Sequence, residues 1–159
     1  MSGAGRPDGA ELDGAGIRVV IVAGRWHTAI TDGMIAGAQR VLEAGGASVG
    51  LVRVAGSFEL PVVAKAILEG DADAVVALGV IVRGGTPHFD FVADATTSGL
   101  SRVAIDTGKP IGFGVLTLDN EQQGLDRAGL AGSREDKGGE AAHAALETAI
   151  LLRSLRGLR

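Results

Sequence analysis

The chain has 159 residues, a formal net charge of −4 and no cysteine. This length suits one domain, and the negative charge argues against a nucleic-acid-binding surface, which needs a basic stripe. The lack of cysteine excludes disulfides, thiolate zinc sites and cysteine nucleophiles. The first residues lack the apolar core of a signal peptide, and no apolar run is long enough to cross a bilayer. We therefore expect a cytoplasmic protein without membrane contacts.

The first third of the chain predicts a tail and then a strand–helix–strand unit. Glycine and aspartate are frequent at its start, and we predict a flexible tail over residues 1–13. Residues 17–23 are almost continuously apolar, which predicts a strand buried on both faces. Apolar residues at helical spacing follow until Gly45 and Gly46 end the helix, and a second strand is predicted at about residues 49–54.

Helices and strands continue to alternate through the rest of the chain. The predicted elements are a helix over residues 60–68, a strand over 74–82, a helix over 89–103, a strand over 110–116, a helix capped by Asp119 that runs to about Arg127, and a last helix over 140–155. This alternation predicts a parallel α/β sheet with helices on both faces, in a single domain over residues 14–159. Ligands of such sheets bind at the carboxyl ends of the strands.

The last predicted helix is apolar around most of its circumference. A surface helix in a monomer needs only one apolar stripe, so the excess indicates a second buried face and therefore self-association. The alternative is that its alanines are helix formers placed without regard to burial.

The stretch Gly84-Gly85-Thr86-Pro87-His88 follows the buried third strand and precedes a helix. Its glycines allow close approach to a ligand, Thr86 suits the N-cap, and Pro87 suits the first helical position. The free N–H groups and the helix dipole favour an anion such as phosphate, and Arg83 adds positive charge nearby. His88 is placed for acid–base chemistry. The alternatives are an ordinary strand-to-helix turn and an exposed polar residue beside a cap.

Two further loops at the predicted strand ends carry candidate ligand-binding groups. Ser57 and Glu59 follow the second strand and can hydrogen-bond a polyol, and Phe58 offers an aromatic face. Trp26, the only tryptophan, follows the first strand, where a planar heterocycle can stack on it. The alternatives are that Glu59 is simply an acid in a first helical turn and that Trp26 packs against a loop.

Arg127 and Lys137 lie in a polar segment, residues 126–139, before the last helix. Arg127 can clamp a phosphate with two hydrogen bonds. The alternative is a solvated charged loop, which is the usual role of such a segment.

Together these segments resemble the lumazine synthase family from Ile17 to about Leu155. The resemblance rests on GSFELP at residues 56–61, ALGVIVRGGTPHFD at 77–90, GVLT at 114–117, and RAG at 127–129 followed by KG at 137–138. The motif at residues 77–90 is the most specific of these.

The resemblance implies an enzyme that condenses 5-amino-6-(D-ribitylamino)uracil with 3,4-dihydroxy-2-butanone 4-phosphate to 6,7-dimethyl-8-ribityllumazine, the penultimate step of riboflavin biosynthesis. Phosphate and two waters leave, and the family uses no metal and no organic cofactor.

The resemblance also implies a role for each candidate site residue. Trp26 would stack on the pyrimidine ring, and Ser57, Phe58 and Glu59 would contact the ribityl chain. The backbone of Val80, Ile81 and Val82 would contact the uracil edge, and Gly85, Thr86 and Arg127 would bind the phosphate. His88 would transfer protons, and Phe113 of a neighbouring subunit would close the ring pocket. Lys137 matches a lysine of the family pattern, after a loop that varies in length.

The resemblance also implies a three-layer sandwich whose four parallel strands follow the flavodoxin-like order 2-1-3-4. Family members assemble as pentamers or as shells of pentamers, with active sites between adjacent subunits, and riboflavin synthase is a candidate partner. The N-terminal tail can add a strand to a neighbour's sheet. Residues 129–136 form a longer segment than the compact turn typical of shell-forming members, so we predict free pentamers.

Other functions fit an α/β sheet of this kind less well. A flavin-binding electron carrier needs a hydroxyl-rich phosphate loop after the first strand, where this chain has Gly24-Arg25-Trp26. A response-regulator-like module needs an acidic pair there and an aspartate at the end of the third strand, where this chain has Val82-Arg83. A purely structural shell protein is the third alternative, and it expects a degenerate site.

Overall fold

The structure, a computed structural model, describes residues 11–158. Its strands are β1 (Arg18–Gly24), β2 (Ser48–Val54), β3 (Ala74–Val82) and β4 (Ile111–Leu118). Its helices are α1 (Thr28–Ala44), α2 (Leu60–Leu68), α3 (His88–Thr107), α4 (Glu121–Leu125) and α5 (Lys137–Gly157). A short 3₁₀ turn, Ser57–Glu59, leads into α2. No helix within residues 11–158 is long and apolar enough to cross a membrane.

The strands form one parallel sheet in the order β2-β1-β3-β4, which confirms the predicted order. Helices α1 and α5 pack together on one face of the sheet, and α2 and α3 pack together on the other. The result is the predicted three-layer sandwich. Because the strands all run the same way, the loops that follow them share one edge of the sheet, where ligands of such folds bind.

The two central strands are nearly continuously apolar because helices cover both of their faces. Ile21 in β1 and Leu78 in β3 are fully buried, and burying one such side chain contributes about 1.5–3 kcal/mol relative to leaving it exposed. In contrast, β2 is an edge strand that exposes Leu51 and Val52. Helices therefore cover both faces of the central strands, as predicted, whereas β2 keeps exposed apolar side chains in a single chain.

The predicted tail, residues 1–13, falls mostly outside the described part of the chain, which begins at residue 11. Just after it, the N–H of Gly14 donates to the carbonyl oxygen of Gly45 at 2.6 Å. Leu12 packs against the core that lies between the sheet and α1 and α5. The added strand expected from the tail stays a prediction.

The cap of α4 differs from the predicted one. Asp119 was the expected cap, but Oδ1 of Asn120 accepts from the N–H of Gln123 at 3.1 Å and caps the helix instead. The carboxylate of Asp119 instead accepts a hydrogen bond from Arg83. The helix is also shorter than predicted and ends at Leu125.

Helix α5 is longer than predicted, and some of its apolar side chains are exposed. Oδ1 of Asp136 accepts from a backbone N–H of the first turn at 2.9 Å, so the helix already begins at Lys137. Its small buried residues pack on α1, whereas Leu151, Leu155 and Leu158 are exposed. These leucines agree with a second apolar face, and the self-association inferred from that face stays a prediction.

Replacement of Gly112 by alanine should destabilise the fold. Gly112 lies in β4 beneath α5, and a Cβ there would overlap the carbonyl oxygen of Ala141. The helix would have to move off the sheet, so we expect the free energy of unfolding to fall by about 1–3 kcal/mol. Urea denaturation followed by Trp26 fluorescence measures this change. The control is Gly157→Ala at the end of α5, where a Cβ meets open space; equal midpoints for the two variants would contradict the tight contact.

Candidate active site

A cavity of about 370 Å³ opens at the edge of the sheet where β1, β2 and β3 end. The loops after these strands and the first turns of α3 form its walls. Most of the predicted site residues line it: Trp26, Ser57, Phe58, Glu59, Val80, Ile81, Val82, Thr86 and His88. Gly85 lies in the same loop, between two lining residues. The sequence therefore identified the segments that come together here.

The end of β3 presents an unpaired backbone edge to this cavity. The pairing of β3 with β1 ends at Leu78, whereas its pairing with β4 continues to Val82. Over residues 79–82 the strand is therefore bonded to a neighbour on the β4 side only. Backbone N–H and C=O groups on the other side are directed to where a planar ligand with alternating donors and acceptors can bind.

The loop after β1 holds Trp26 by a constrained backbone. His27 has a φ of 54°, a left-handed conformation that is uncommon for a residue other than glycine. The buried Thr31 hydroxyl lies 2.7 Å from the carbonyl oxygen of Trp26 and 2.8 Å from that of His27, and can donate to either. The indole is 69% exposed at the cavity mouth. Such strain is typical of functional sites, and it fixes a large ring beside the ligand space.

His27 is a cavity-lining residue that the sequence did not identify. Its Nδ1 lies 3.4 Å from Oε1 of Glu121, at the start of α4. Histidine is enriched among the non-glycine residues with positive φ, but most histidines do not adopt this conformation, so the residue type alone does not predict it.

The loop after β2 is pressed against the end of β3. Ser57 is buried, and its carbonyl oxygen accepts from the Thr96 hydroxyl of α3 at 3.2 Å. A side chain at Gly79 would overlap the Ser57 hydroxyl, so glycine in β3 allows this close approach. The half-buried Glu59 and the exposed Phe58 complete the wall.

The turn before α3 differs from its predicted form in one respect. Thr86 was expected to cap the helix, but Pro87 occupies the N-cap position and no side chain caps the helix. Pro87 has a helical φ of −63°, which places His88 rather than proline at the first helical position. The N–H groups of this first turn therefore lack a side-chain acceptor, and the positive end of the helix dipole favours an anion there.

Three predicted residues do not line the cavity of their own chain: Phe113, Arg127 and Lys137. Phe113 is 48% exposed on the edge strand β4. The half-buried Arg127 donates from Nη1 to the carbonyl oxygen of Gln123 at 2.8 Å. One chain thus brings together only part of the predicted site.

Lys137 is held in a cluster of opposite charges. Its Nζ lies 2.5 Å from Oε2 of Glu135 and 2.8 Å from Oε2 of Glu140. Burial opposes the charged amine, but the hydrogen bonds and charges of the two glutamates together outweigh it and raise the pKa of Lys137. The hydrogen bond from Lys137 in turn lowers the pKa of Glu135, against a smaller opposing effect of burial. Within residues 11–158, no three His, Asp or Glu side chains are grouped as metal ligands.

Comparisons with known proteins show which sequences this chain resembles. A sequence model of the family described as 6,7-dimethyl-8-ribityllumazine synthase matches residues 16–153. A curated protein of that name from Leifsonia xyli subsp. xyli (strain CTCB07) is 71% identical over 158 residues, which are 99% of this chain and 100% of that protein. Proteins of the same name from Clavibacter michiganensis subsp. michiganensis (strain NCPPB 382) and Kineococcus radiotolerans are 65% and 61% identical over 159 residues. These alignments cover 99% of this chain in each case, and 99% and 98% of the two relatives.

The pairing of Glu135 with Lys137 should make stability depend on pH in the acid range. The folded state lowers the pKa of Glu135, so its contribution to stability is complete above the pKa of the unfolded chain. It is lost as the pH falls through the lower, folded pKa. The difference in free energy of unfolding between the wild type and Glu135→Gln should therefore be largest near neutral pH and shrink on acidification.

Urea denaturation at several pH values measures this difference. The control is Glu43→Gln, which changes an exposed glutamate at the end of α1, away from Lys137. A difference for Glu135→Gln that stays constant from neutral pH to below pH 4 would contradict the pairing.

Proposed function

The chain belongs to the 6,7-dimethyl-8-ribityllumazine synthase family, and we propose that it condenses 5-amino-6-(D-ribitylamino)uracil with 3,4-dihydroxy-2-butanone 4-phosphate. The product is 6,7-dimethyl-8-ribityllumazine, and the step is the penultimate one of riboflavin biosynthesis. One observation carries the proposal: a single cavity combines an unpaired backbone edge, an exposed indole and an uncapped helix N-terminus. The backbone edge suits the polar edge of a heterocycle, the indole suits the face of that ring, and the helix N-terminus suits a phosphate.

The amine substrate is proposed to occupy the part of the cavity between β1 and β3. Trp26 stacks on the pyrimidine, and the backbone of residues 80–82 pairs with the uracil edge. Ser57 and Glu59 hydrogen-bond the ribityl hydroxyls, and Phe58 covers the chain. The close approach of Ser57 to Gly79 supports this assignment, because it places the hydroxyl-binding wall directly beside the ring-binding edge.

The phosphorylated substrate is proposed to bind at the start of α3. Gly85 and Thr86 supply the phosphate seat, and the N–H groups of the first helical turn face its charge. A side chain at Gly84 or Gly85 would meet open space, so packing within the chain does not require glycine there. Room for an anion is a sufficient reason for both glycines.

The chemical steps follow from this placement. The primary amine attacks the ketone, and loss of a first water gives a Schiff base. Loss of a proton from C3 and of phosphate from C4 then gives an enol, which tautomerises to a new ketone at C3. Attack of the ribityl-bearing nitrogen on this ketone closes the ring with loss of a second water. Because much of the rate comes from holding two substrates in reacting geometry, one proton-transfer residue suffices. His88, beside the phosphate seat, carries the proton between these steps.

The complete site is proposed to lie between two subunits of a pentamer. Phe113, Arg127 and Lys137 do not line the cavity of their own chain, and a neighbour that offers them closes the ring pocket and clamps the phosphate. The exposed Phe113 supports this, since a large ring at an edge strand suits an interface. Free pentamers, a cytoplasmic location and riboflavin synthase as a partner stay predictions; hollow particles in negative-stain images would contradict the first.

Replacement of His88 by alanine should slow turnover by about 100-fold or more, because it removes the proton-transfer group. The purified wild type mixed with both substrates should form the lumazine, which is followed by its absorbance. The pentamer should stay intact in the variant, as checked by light scattering. The control is His143→Ala on α5, outside the cavity. Unchanged turnover in His88→Ala would remove the proposed role.

Co-assembly of two impaired variants should restore activity if the site is shared between subunits, when the assay uses the phosphorylated substrate at a concentration too low for Arg127→Ala to turn over. Arg127→Ala alone should mainly raise the KM for the phosphorylated substrate. In pentamers mixed equally from His88→Ala and Arg127→Ala chains, about a quarter of the interfaces should carry both native residues. Denaturing the two variants together and refolding them should therefore recover roughly that fraction of wild-type turnover. Absence of any recovery in mixed pentamers would place Arg127 and His88 in the same subunit's site.

A further inference from the structure

Arg83 connects the ends of two strands. It is the residue after β3, and its backbone N–H donates to the carbonyl oxygen of Leu118, the last residue of β4, at 2.7 Å. Its Nε donates to Oδ1 of Asp119 at 3.0 Å. The backbone and the side chain of one arginine thus bind two successive residues at the end of β4.

The same guanidinium reaches the first turn of α3. Its Nη1 lies 3.6 Å from Oδ1 of Asp90. Its central carbon lies 4.1 Å from the centre of the Phe89 ring, in a cation–π contact. Phe89 is buried, lines the cavity and directly follows His88. Arg83 therefore contacts both residues that come after the proposed proton-transfer residue.

The loop between Arg83 and α3 has few other means of holding its shape. Residues 84–88 are exposed, and a side chain at Gly84 or Gly85 would touch nothing. No side chain caps α3. Among residues 11–158, the ion pairs that reach the loop or the first helical turn come from Arg83. Apart from the burial of Phe89, the position of this loop relative to the sheet therefore depends on the guanidinium of Arg83.

Arg83 is not placed as a ligand of the anion. It does not line the cavity, and its charge lies between the carboxylates of Asp90 and Asp119. We propose that Arg83 is a positioning residue that, with Asp119, fixes the phosphate loop and His88 against the ends of β3 and β4. This inference rests on the proposed function, because it takes the loop's ligand to be the phosphate of a substrate.

Replacement of Arg83 by lysine should weaken use of the phosphorylated substrate specifically. Lysine keeps the charge but cannot bridge two carboxylates and stack on a ring at the same time. We expect the KM for the phosphorylated substrate to rise by roughly tenfold, while the KM for the amine changes by less than about twofold. Asp119→Asn should shift the two KM values in the same direction. The KM of the double variant for the phosphorylated substrate should be no higher than that of the more affected single variant, because both substitutions break the same Arg83–Asp119 interaction.

A direct anion ligand would give the opposite result. Asp119→Asn would then free the guanidinium, lower the KM for the phosphorylated substrate and strengthen competitive inhibition by inorganic phosphate. That outcome, additive effects of the two substitutions, or unchanged kinetics in Arg83→Lys would each overturn the proposal. The control is Arg102→Lys, which alters the exposed pair that Arg102 forms with Asp106 within α3. Light scattering and thermal unfolding check that each variant keeps its assembly and fold.

A binding measurement separates failure of this inference from failure of the proposed function. If the wild type forms no lumazine, the activity proposal fails. Calorimetric titration with inorganic phosphate still tests whether Arg83 and Asp119 position the phosphate-binding loop. The wild type should bind phosphate more tightly than Arg83→Lys or Asp119→Asn, and Arg102→Lys should match the wild type. Equal affinities in the wild type and Arg83→Lys, or no binding by the wild type, would overturn the inference.

Discussion

The unequal pairing of β3 is the constraint on which the site depends. The strand bonds to β4 as far as Val82 but to β1 only as far as Leu78. Unpaired backbone groups are costly when they are buried without partners, so the last residues of β3 favour either water or a polar ligand on their open side. The sheet thus creates a directional binding edge without any special side chain, and apolar residues can form a polar site.

Two of the three loops around that edge have a hydrogen-bonding anchor in the core. Thr31 fixes the backbone at Trp26, and Thr96 holds the carbonyl of Ser57 from the opposite face of the sheet. The loop before α3 lacks such a buried anchor and depends on a surface guanidinium instead. The three walls therefore differ in how they are held: two by buried hydrogen bonds and one by exposed ion pairs.

The sequence predicted the fold well because the dominant signals were long and redundant. Apolar runs and their alternation with helical patterns predict a parallel sheet covered by helices, and no single residue decides this. The strand order 2-1-3-4 came from the family resemblance. Capping is different, since Asp119 and Asn120 are equally good caps by composition. In the structure Asn120 caps the helix, while Asp119 pairs with Arg83, which is distant in the sequence. The left-handed His27 likewise depends on Thr31 and on local strain, which no periodicity records.

Arg127 and Lys137, two predicted site residues that do not line the cavity of their own chain, differ in their surroundings. Lys137 is not an isolated cation, because Glu135 and Glu140 neutralise and orient it. Removal of one glutamate would leave a balanced ion pair, whereas removal of Lys137 would leave two carboxylates uncompensated. The amine of Lys137 is therefore a fixed donor within a charged cluster. Arg127 differs, since its one recorded bond to Gln123 leaves other guanidinium donors for a phosphate. In the proposed shared site we therefore expect Arg127, rather than the neutralised Lys137, to compensate the charge of the phosphate.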